Sequence, residues 1–134
     1  TDMIHSVLEG ICYHLRWQLE AQEEKIKTSD TIRLVGGGAL APLTCQILAD
    51  ILGRDVETVD SPQNVGAVGA AVLMAVGFNI IEQIEDAKEL IEVKARYSPD
   101  MKNKAIHDRN FKIFKSLYRR NKKAFEILNG GAGL

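Results

Sequence analysis

The sequence of 134 residues predicts an α/β fold that is rich in helices and contains a short parallel pair of strands. Apolar residues recur at helical spacing over about the first 26 positions. A short apolar run at residues 31–35 ends at three consecutive glycines and leads into a second helical pattern. Another strand pattern follows at residues 55–59. Because two strands joined through a helix usually pair in parallel, these patterns together predict the fold class.

The first predicted helix covers residues 3 to about 26, and the strand at 31–35 is expected to be largely buried. Pro42 suits the first turn of the second helix, where its missing N–H group costs nothing. Gly53 is placed to end that helix. The apolar stripe of the first helix consists of Ile4, Val7, Leu8, Ile11, Leu15 and Leu19.

Small residues dominate the third predicted helix, at residues 65–77, and indicate close packing on a neighbouring element. A short helix is predicted for residues 81–91, and Pro99 separates it from a long final helix. Since two parallel strands do not make a stable sheet alone, further strands are expected in a part of the polypeptide that is not present here. One side of the final helix is lined by Phe111, Phe114, Tyr118, Phe125 and Leu128.

Composition predicts one globular domain in the cytoplasm. A net charge of −1 argues against a general nucleic-acid-binding protein, and no segment approaches the length of a membrane span. Cys12 and Cys45 are predicted to be two buried free thiols. The start at Thr1 without an initiator Met is interpreted as a piece of a longer polypeptide, with residues 1–129 as the folded portion and 130–134 as a flexible tail.

The glycine turn, Gly36-Gly37-Gly38-Ala39, is the main candidate for ligand binding. A strand that ends in glycines before a helix lets the backbone approach a nucleotide, and the first N–H groups of the helix favour a phosphate. The alternative is a tight connection that binds nothing. The spacing of Gly36, Gly38 and Ala41, with Asp60 farther along, also fits a dinucleotide fingerprint, but the helical patterns after residue 65 do not supply the strands that such a fold needs.

Several motifs together resemble the FGGY carbohydrate kinases, within the actin, Hsp70 and hexokinase superfamily. The turn at residues 34–39 and the helix through residues 46–53 are very similar to the adenosine motif of the family. Residues 66–71, Gly-Ala-Val-Gly-Ala-Ala, resemble the small-residue helix behind the nucleotide site, and the final helix is like that of xylulokinases. The resemblance implies the C-terminal part of an actin-like ATPase domain of the ribonuclease H-like type.

The resemblance also implies ATP-dependent phosphorylation of a sugar hydroxyl with Mg²⁺, and xylulose is the preferred sugar. The implied nucleotide-contacting residues are Gly36, Gly37, Gly38, Ala39 and Ala41. Ala41 stands where some relatives carry Asn or Ser, so recognition of the base at this position would depend on backbone or packing. The catalytic Asp and most sugar contacts are expected earlier in the full-length kinase. The resemblance leaves open whether that enzyme forms a homodimer.

Other conspicuous residues are interpreted as structural. Asp50 is expected to make a surface or capping interaction, while Asp55 and Asp60 are expected in turns. The nine Lys and Arg residues between 102 and 123 are interpreted as the solvated face of the final helix. No nucleophile or histidine constellation for catalysis is predicted. The remaining alternative functions are a dinucleotide-binding domain of an oxidoreductase and a non-enzymatic helical interaction module.

Overall fold

The fold of this protein, in a computed structural model that describes residues 2–130 apart from the side chains of 88–90, is a small mixed sheet with helices packed mainly on one face. Three short 3₁₀ turns, at Gly37–Leu40, Pro62–Asn64 and Ile84–Leu90, connect the elements. The helices and strands follow in the order α1 (Asp2–Glu23), β1 (Thr31–Leu34), α2 (Pro42–Leu52), β2 (Asp55–Val59), α3 (Val65–Gly77), β3 (Val93–Tyr97) and α4 (Lys104–Gly130).

The sheet has the strand order β1-β2-β3. The predicted parallel pair is confirmed, with Thr31 opposite Asp55, and β3 adds an antiparallel strand that the sequence analysis missed. The segment expected to be a short helix at 81–91 is instead the 3₁₀ turn Ile84–Leu90. Strand β1 is also less buried than predicted, because it lies at the edge of the sheet and has one partner strand in the described part of the chain.

Helix α2 lies at the centre of the core, in contact with α1, α4 and β2. Pro42 stands at its start, and Gly53 adopts the left-handed conformation (φ 67°) at its end, as predicted from the sequence. The two cysteines are buried free thiols, which confirms that prediction. The central core consists of Cys12, Tyr13, Cys45, Ile47, Leu48, Ala49, Ile51, Val56 and Phe111.

Helices α3 and α4 are less buried than predicted from the sequence. No residue of α3 is buried, so its small residues have no closely packed neighbour within the described part of the chain. In α4, Phe111 is buried, whereas Tyr118 is 58% and Leu128 is 78% exposed. Gly130 is the last residue of α4, and the rest of the predicted tail, 131–134, lies outside the described residues.

The sequence predicts no membrane-spanning segment. Among the helices of residues 2–130, none combines the length and apolar character that a transmembrane span requires.

A row of charges crosses the sheet and connects all three strands. Glu57 on β2 forms ion pairs with Arg33 on β1, at 3.2 Å, and with Arg96 on β3. The Arg96 guanidinium, followed by that of Arg33, holds the pKa of the Glu57 carboxyl below its ordinary value. These pairs therefore stabilise the folded sheet only while Glu57 is ionised.

Lowering the pH should destabilise the protein through this row of charges. A carboxyl whose pKa is lower in the folded state contributes stability above its unfolded pKa, and this contribution is lost as the pH falls through the folded pKa. Glu57→Gln should lower the free energy of unfolding by about 1 kcal/mol at pH 7 and make its decline below pH 5 shallower. Urea denaturation between pH 7 and pH 3 measures both effects. Parallel curves for the two proteins would contradict the assignment.

Candidate functional site

The glycine turn begins with an unusual backbone conformation at Gly36. Its φ of 89° and ψ of −176° lie in a region that only glycine adopts readily. The N–H group of Gly36 donates a hydrogen bond of 2.8 Å to the carbonyl oxygen of Pro62. This bond joins the end of β1 to the turn that follows β2, so two segments distant in sequence form one surface.

The next five residues complete the turn and lead into α2. Ala39 and Ala41 donate backbone hydrogen bonds to the carbonyl oxygens of Gly36 (3.1 Å) and Gly38 (3.4 Å). Ala39 is buried, and its own carbonyl accepts a hydrogen bond from the Cys45 thiol at 3.6 Å. The five residues predicted from the sequence, Gly36, Gly37, Gly38, Ala39 and Ala41, are therefore brought together at the beginning of α2.

The three glycines face open space. Apart from each glycine, its two chain neighbours and the local backbone of the turn, no heavy atom of the described part of the chain lies within 4 Å of where a β-carbon would be placed at Gly36, Gly37 or Gly38. Packing inside this chain does not explain why Gly37 and Gly38 are glycines, because both have room for a side chain and neither has a positive φ. The arrangement leaves the backbone accessible to a ligand at a helix start, where N–H groups favour an anion.

The turn after β2 forms the neighbouring wall of the site. Ser61 adopts the left-handed conformation with φ 46°, and Asp60 pairs with Lys94 of β3 at 3.2 Å. The Lys94 ammonium, followed by the hydroxyl of Ser61, holds the pKa of Asp60 below its ordinary value. Asp60 is thus paired with a residue of β3. Strand β3 is antiparallel to β2, whereas a dinucleotide-binding fold continues with parallel strands.

An apolar cavity lies beside the glycine turn rather than in it. It has a volume of about 540 Å³, and none of the predicted nucleotide-contacting residues lines it. This cavity was not predicted from the sequence, although three of its valines, Val65, Val68 and Val72, recur at helical spacing. Its mainly apolar lining includes Val59, Val65, Val68, Val72, Ile84 and Ala87.

Two polar side chains of types that can serve in catalysis, those of Asp50 and His107, make structural contacts instead. Asp50 accepts hydrogen bonds from the side chain of Gln46 (2.8 Å), the backbone of Asp100 (2.8 Å) and the side chain of Asn103 (3.0 Å), so it has a structural role and connects α2 to the segment before α4. His107 forms a buried hydrogen bond of 2.9 Å between its Nδ1 and the Tyr13 hydroxyl. Across residues 2–130, no group of three or more His, Cys, Asp and Glu side chains is arranged to hold a metal ion.

Comparisons with known proteins identify the fold and the family. The sequence model of the C-terminal domain of the FGGY family of carbohydrate kinases matches residues 1–78. The xylulose kinase of Bacillus subtilis is 30% identical over 120 residues, which are 89% of this chain and 24% of that protein. The chain therefore spans about a quarter of the length of this relative.

Two solved structures share the fold. A ligand-bound xylulose kinase from Lactobacillus acidophilus superposes with a TM-score of 0.83 and 18% identity, over 94% of this chain and 26% of the other. A gluconate kinase from the same organism gives a TM-score of 0.78 and 19% identity, over 89% and 24%. The family predicted from the glycine turn together with its flanking helices is thus confirmed, and the chain belongs to the FGGY family of carbohydrate kinases, with residues 1–78 matching the C-terminal domain.

Proposed function

We propose that this chain is the nucleotide-binding portion of an ATP-dependent sugar kinase of the cytoplasm. The observation that carries the proposal is the exposed turn Gly36–Gly38, whose backbone is open to a ligand at the start of α2. Gly36, Gly37, Gly38 and Ala39 would contact the adenosine and phosphate side of ATP, and Ala41 would lie near the base. Since Ala41 has no polar side chain, it would contribute only backbone and packing contacts.

Catalysis is assigned to the remainder of the kinase fold. Phosphoryl transfer requires a carboxylate near the sugar hydroxyl and ligands for Mg²⁺. We assign no magnesium ligand to this chain, because the resemblance implies that the catalytic carboxylate lies earlier in the full-length kinase. This chain would instead position the nucleotide. The sugar is proposed to be xylulose, because the first relatives are named xylulose kinases.

The first test is the binding of ADP to Gly36→Ala. We expect about tenfold weaker binding, because Ala at φ 89° is strained and the turn must change shape. Isothermal titration of ADP, with NAD in a parallel experiment, measures this. Gly53→Ala is the matched control, since Gly53 also has a positive φ but lies at the opposite end of α2. Equal loss of affinity in both variants, or tighter binding of NAD than of ADP, would overturn the proposal.

The second test concerns turnover. The chain alone, with ATP, Mg²⁺ and xylulose, should give no sugar-dependent release of ADP in a coupled assay. Measurable turnover would refute the assignment of the catalytic groups to the remainder of the fold.

A further inference from the structure

Ser61, in the turn after β2, has a backbone conformation that serine rarely adopts. Its φ is 46° and its ψ is 53°, in the left-handed region that favours glycine. A residue before proline normally has an extended backbone, so Ser61 also departs from the conformation that Pro62 favours. In the described part of the chain, Asn79 is the one other residue besides glycine with a positive φ. Such strain persists only where the surrounding structure maintains it, and it is frequent at functional sites.

Contacts on both sides of Ser61 hold this conformation. The Ser61 carbonyl oxygen accepts a hydrogen bond of 2.9 Å from the backbone N–H of Asn64, which closes the short turn before α3. The Ser61 hydroxyl donates a hydrogen bond of 3.2 Å to the carboxylate of Asp60. Pro62 is buried, so the chain is fixed directly after Ser61.

The conformation of Ser61 decides where the carbonyl group of Pro62 points. Proline has a fixed φ, so Pro62 cannot compensate for a change at Ser61 by rotating about its own N–Cα bond. With Ser61 left-handed, the Pro62 carbonyl oxygen accepts the 2.8 Å hydrogen bond from the N–H of Gly36. With Ser61 extended, the chain would enter Pro62 from a different direction, and this hydrogen bond to the glycine turn would be lost.

The ion pair between Lys94 and Asp60 is a weaker candidate for the same role. The two side chains are 64% and 73% exposed, and ion pairs that are this exposed contribute little. The Ser61 backbone, by contrast, is bonded directly to the residue that holds Gly36.

We propose that Ser61 is a positioning residue for nucleotide binding, which sets the shape of the glycine turn through the carbonyl group of Pro62. This inference rests on the proposed function, because the glycine turn is the nucleotide contact assigned there. The role requires no contact between Ser61 and the nucleotide. The side chain at position 61 therefore matters through how readily it permits a left-handed backbone, which glycine adopts freely and a β-branched residue resists.

The test compares Ser61→Thr with Asn79→Thr by isothermal titration of the whole chain with ADP. Threonine keeps the hydroxyl of Ser61, and its β-branched side chain opposes the positive φ at both positions. Asn79 is the matched control, because it is exposed and lies beyond the opposite end of α3. We expect about fivefold weaker binding of ADP in Ser61→Thr and a change of less than about twofold in Asn79→Thr. Both substitutions should lower the Tm, by about 4 °C.

Ser61→Gly is the rescue variant, because glycine adopts the left-handed region freely but has no hydroxyl. It should bind ADP within about twofold of the unmodified chain. A loss of affinity in Ser61→Gly equal to that in Ser61→Thr would overturn the proposal, since the side chain rather than the backbone would then be responsible. Equal losses in the two threonine variants would also overturn it, because lower stability alone would explain them.

Hydrogen exchange at the Gly36 amide separates this inference from the proposed function. We expect exchange on the order of tenfold faster in Ser61→Thr and unchanged in Asn79→Thr, because only the first weakens the bond to Pro62. If exchange is faster but the unmodified chain binds no ADP, the nucleotide assignment fails and the link from Ser61 to the turn stands. If ADP binds equally to both and exchange is unchanged, the positioning role fails and the nucleotide assignment stands. Unchanged exchange overturns the positioning role whether or not ADP binds.

Discussion

Phe111→Ala should lower the free energy of unfolding by about 3 to 5 kcal/mol, the usual cost of truncating a buried phenylalanine. The Phe111 side chain is 2% exposed, and its ring stacks on that of Tyr13 with 6.2 Å between the centroids. The Arg16 guanidinium and the Lys115 ammonium lie 4.4 and 4.5 Å from the ring centroid. Truncation would leave a cavity between α1 and α4 and remove both cation–π contacts. Urea denaturation followed by circular dichroism measures the loss.

Phe125→Ala is the matched control for this prediction, because Phe125 lies on the same helix and in the same predicted stripe. Its side chain is 43% exposed, with Tyr118 as a stacked neighbour at 6.2 Å. We expect a cost of about 1 kcal/mol or less. If both substitutions destabilised the protein equally, the end of α4 would have to be covered by a contact that the fold described above does not contain.

The comparison of these two phenylalanines shows what helical spacing predicts. Spacing identifies which residues share a face of α4, and Phe111, Phe114 and Tyr118 do share one. It does not show whether another element covers that face at each position. Phe111 is covered by α1, whereas Tyr118 is 58% exposed in the described part of the chain. Burial depends on contacts that are distant in sequence, and these could not be predicted from the pattern.

Local signals explain why α2 was predicted so closely. Pro42 and Gly53 each act through their own backbone geometry, so the residue type is sufficient to place the ends of the helix. Strand β3 has no such backbone signal, only the alternation of apolar and charged residues that is typical of a half-buried strand, and this alternation was overlooked. Its sequence, Val-Lys-Ala-Arg-Tyr, is short and contains two charged residues, and the strand is held by pairing with β2 and by the Arg96–Glu57 ion pair. Such long-range pairing outweighs a weak local pattern.

The candidate site could be predicted only in part for the same reason. The five residues of the glycine turn are neighbours in sequence, so the motif contains them all. Pro62, whose carbonyl holds Gly36, lies 26 positions away from it. The parallel pairing of β1 and β2 brings the carboxyl ends of the two strands together, and only this arrangement reveals the second wall of the site.

Arg16→Ala should lower the free energy of unfolding by about 3 kcal/mol, because this side chain connects three helices. From α1, its guanidinium donates hydrogen bonds to the carbonyl oxygen of Ile51 in α2, at 3.0 Å, and to Asp108 in α4, at 2.8 Å. The Arg16 side chain is 19% exposed, so water replaces these bonds incompletely. Urea denaturation of the variant provides the measurement.

Arg16→Lys is the control that separates charge from geometry. Lysine keeps the positive charge but lacks the planar fork that reaches Ile51 and Asp108 together. We expect it to recover about half of the loss, since one of the two hydrogen bonds can be retained. Full recovery would show that charge alone matters and would contradict the role assigned to the fork.

A double-mutant cycle between Arg16 and Phe111 tests whether the losses of stability caused by the two substitutions come partly from one shared contact. The guanidinium lies 4.4 Å from the ring centroid, so Phe111→Ala already removes part of what Arg16 contributes. The double variant should therefore lose about 1 kcal/mol less than the two single losses added together, the size of a partly buried cation–π contact. Independent sites would add to within about 0.5 kcal/mol. Additivity would mean that Arg16 stabilises the fold only through its hydrogen bonds to α2 and α4.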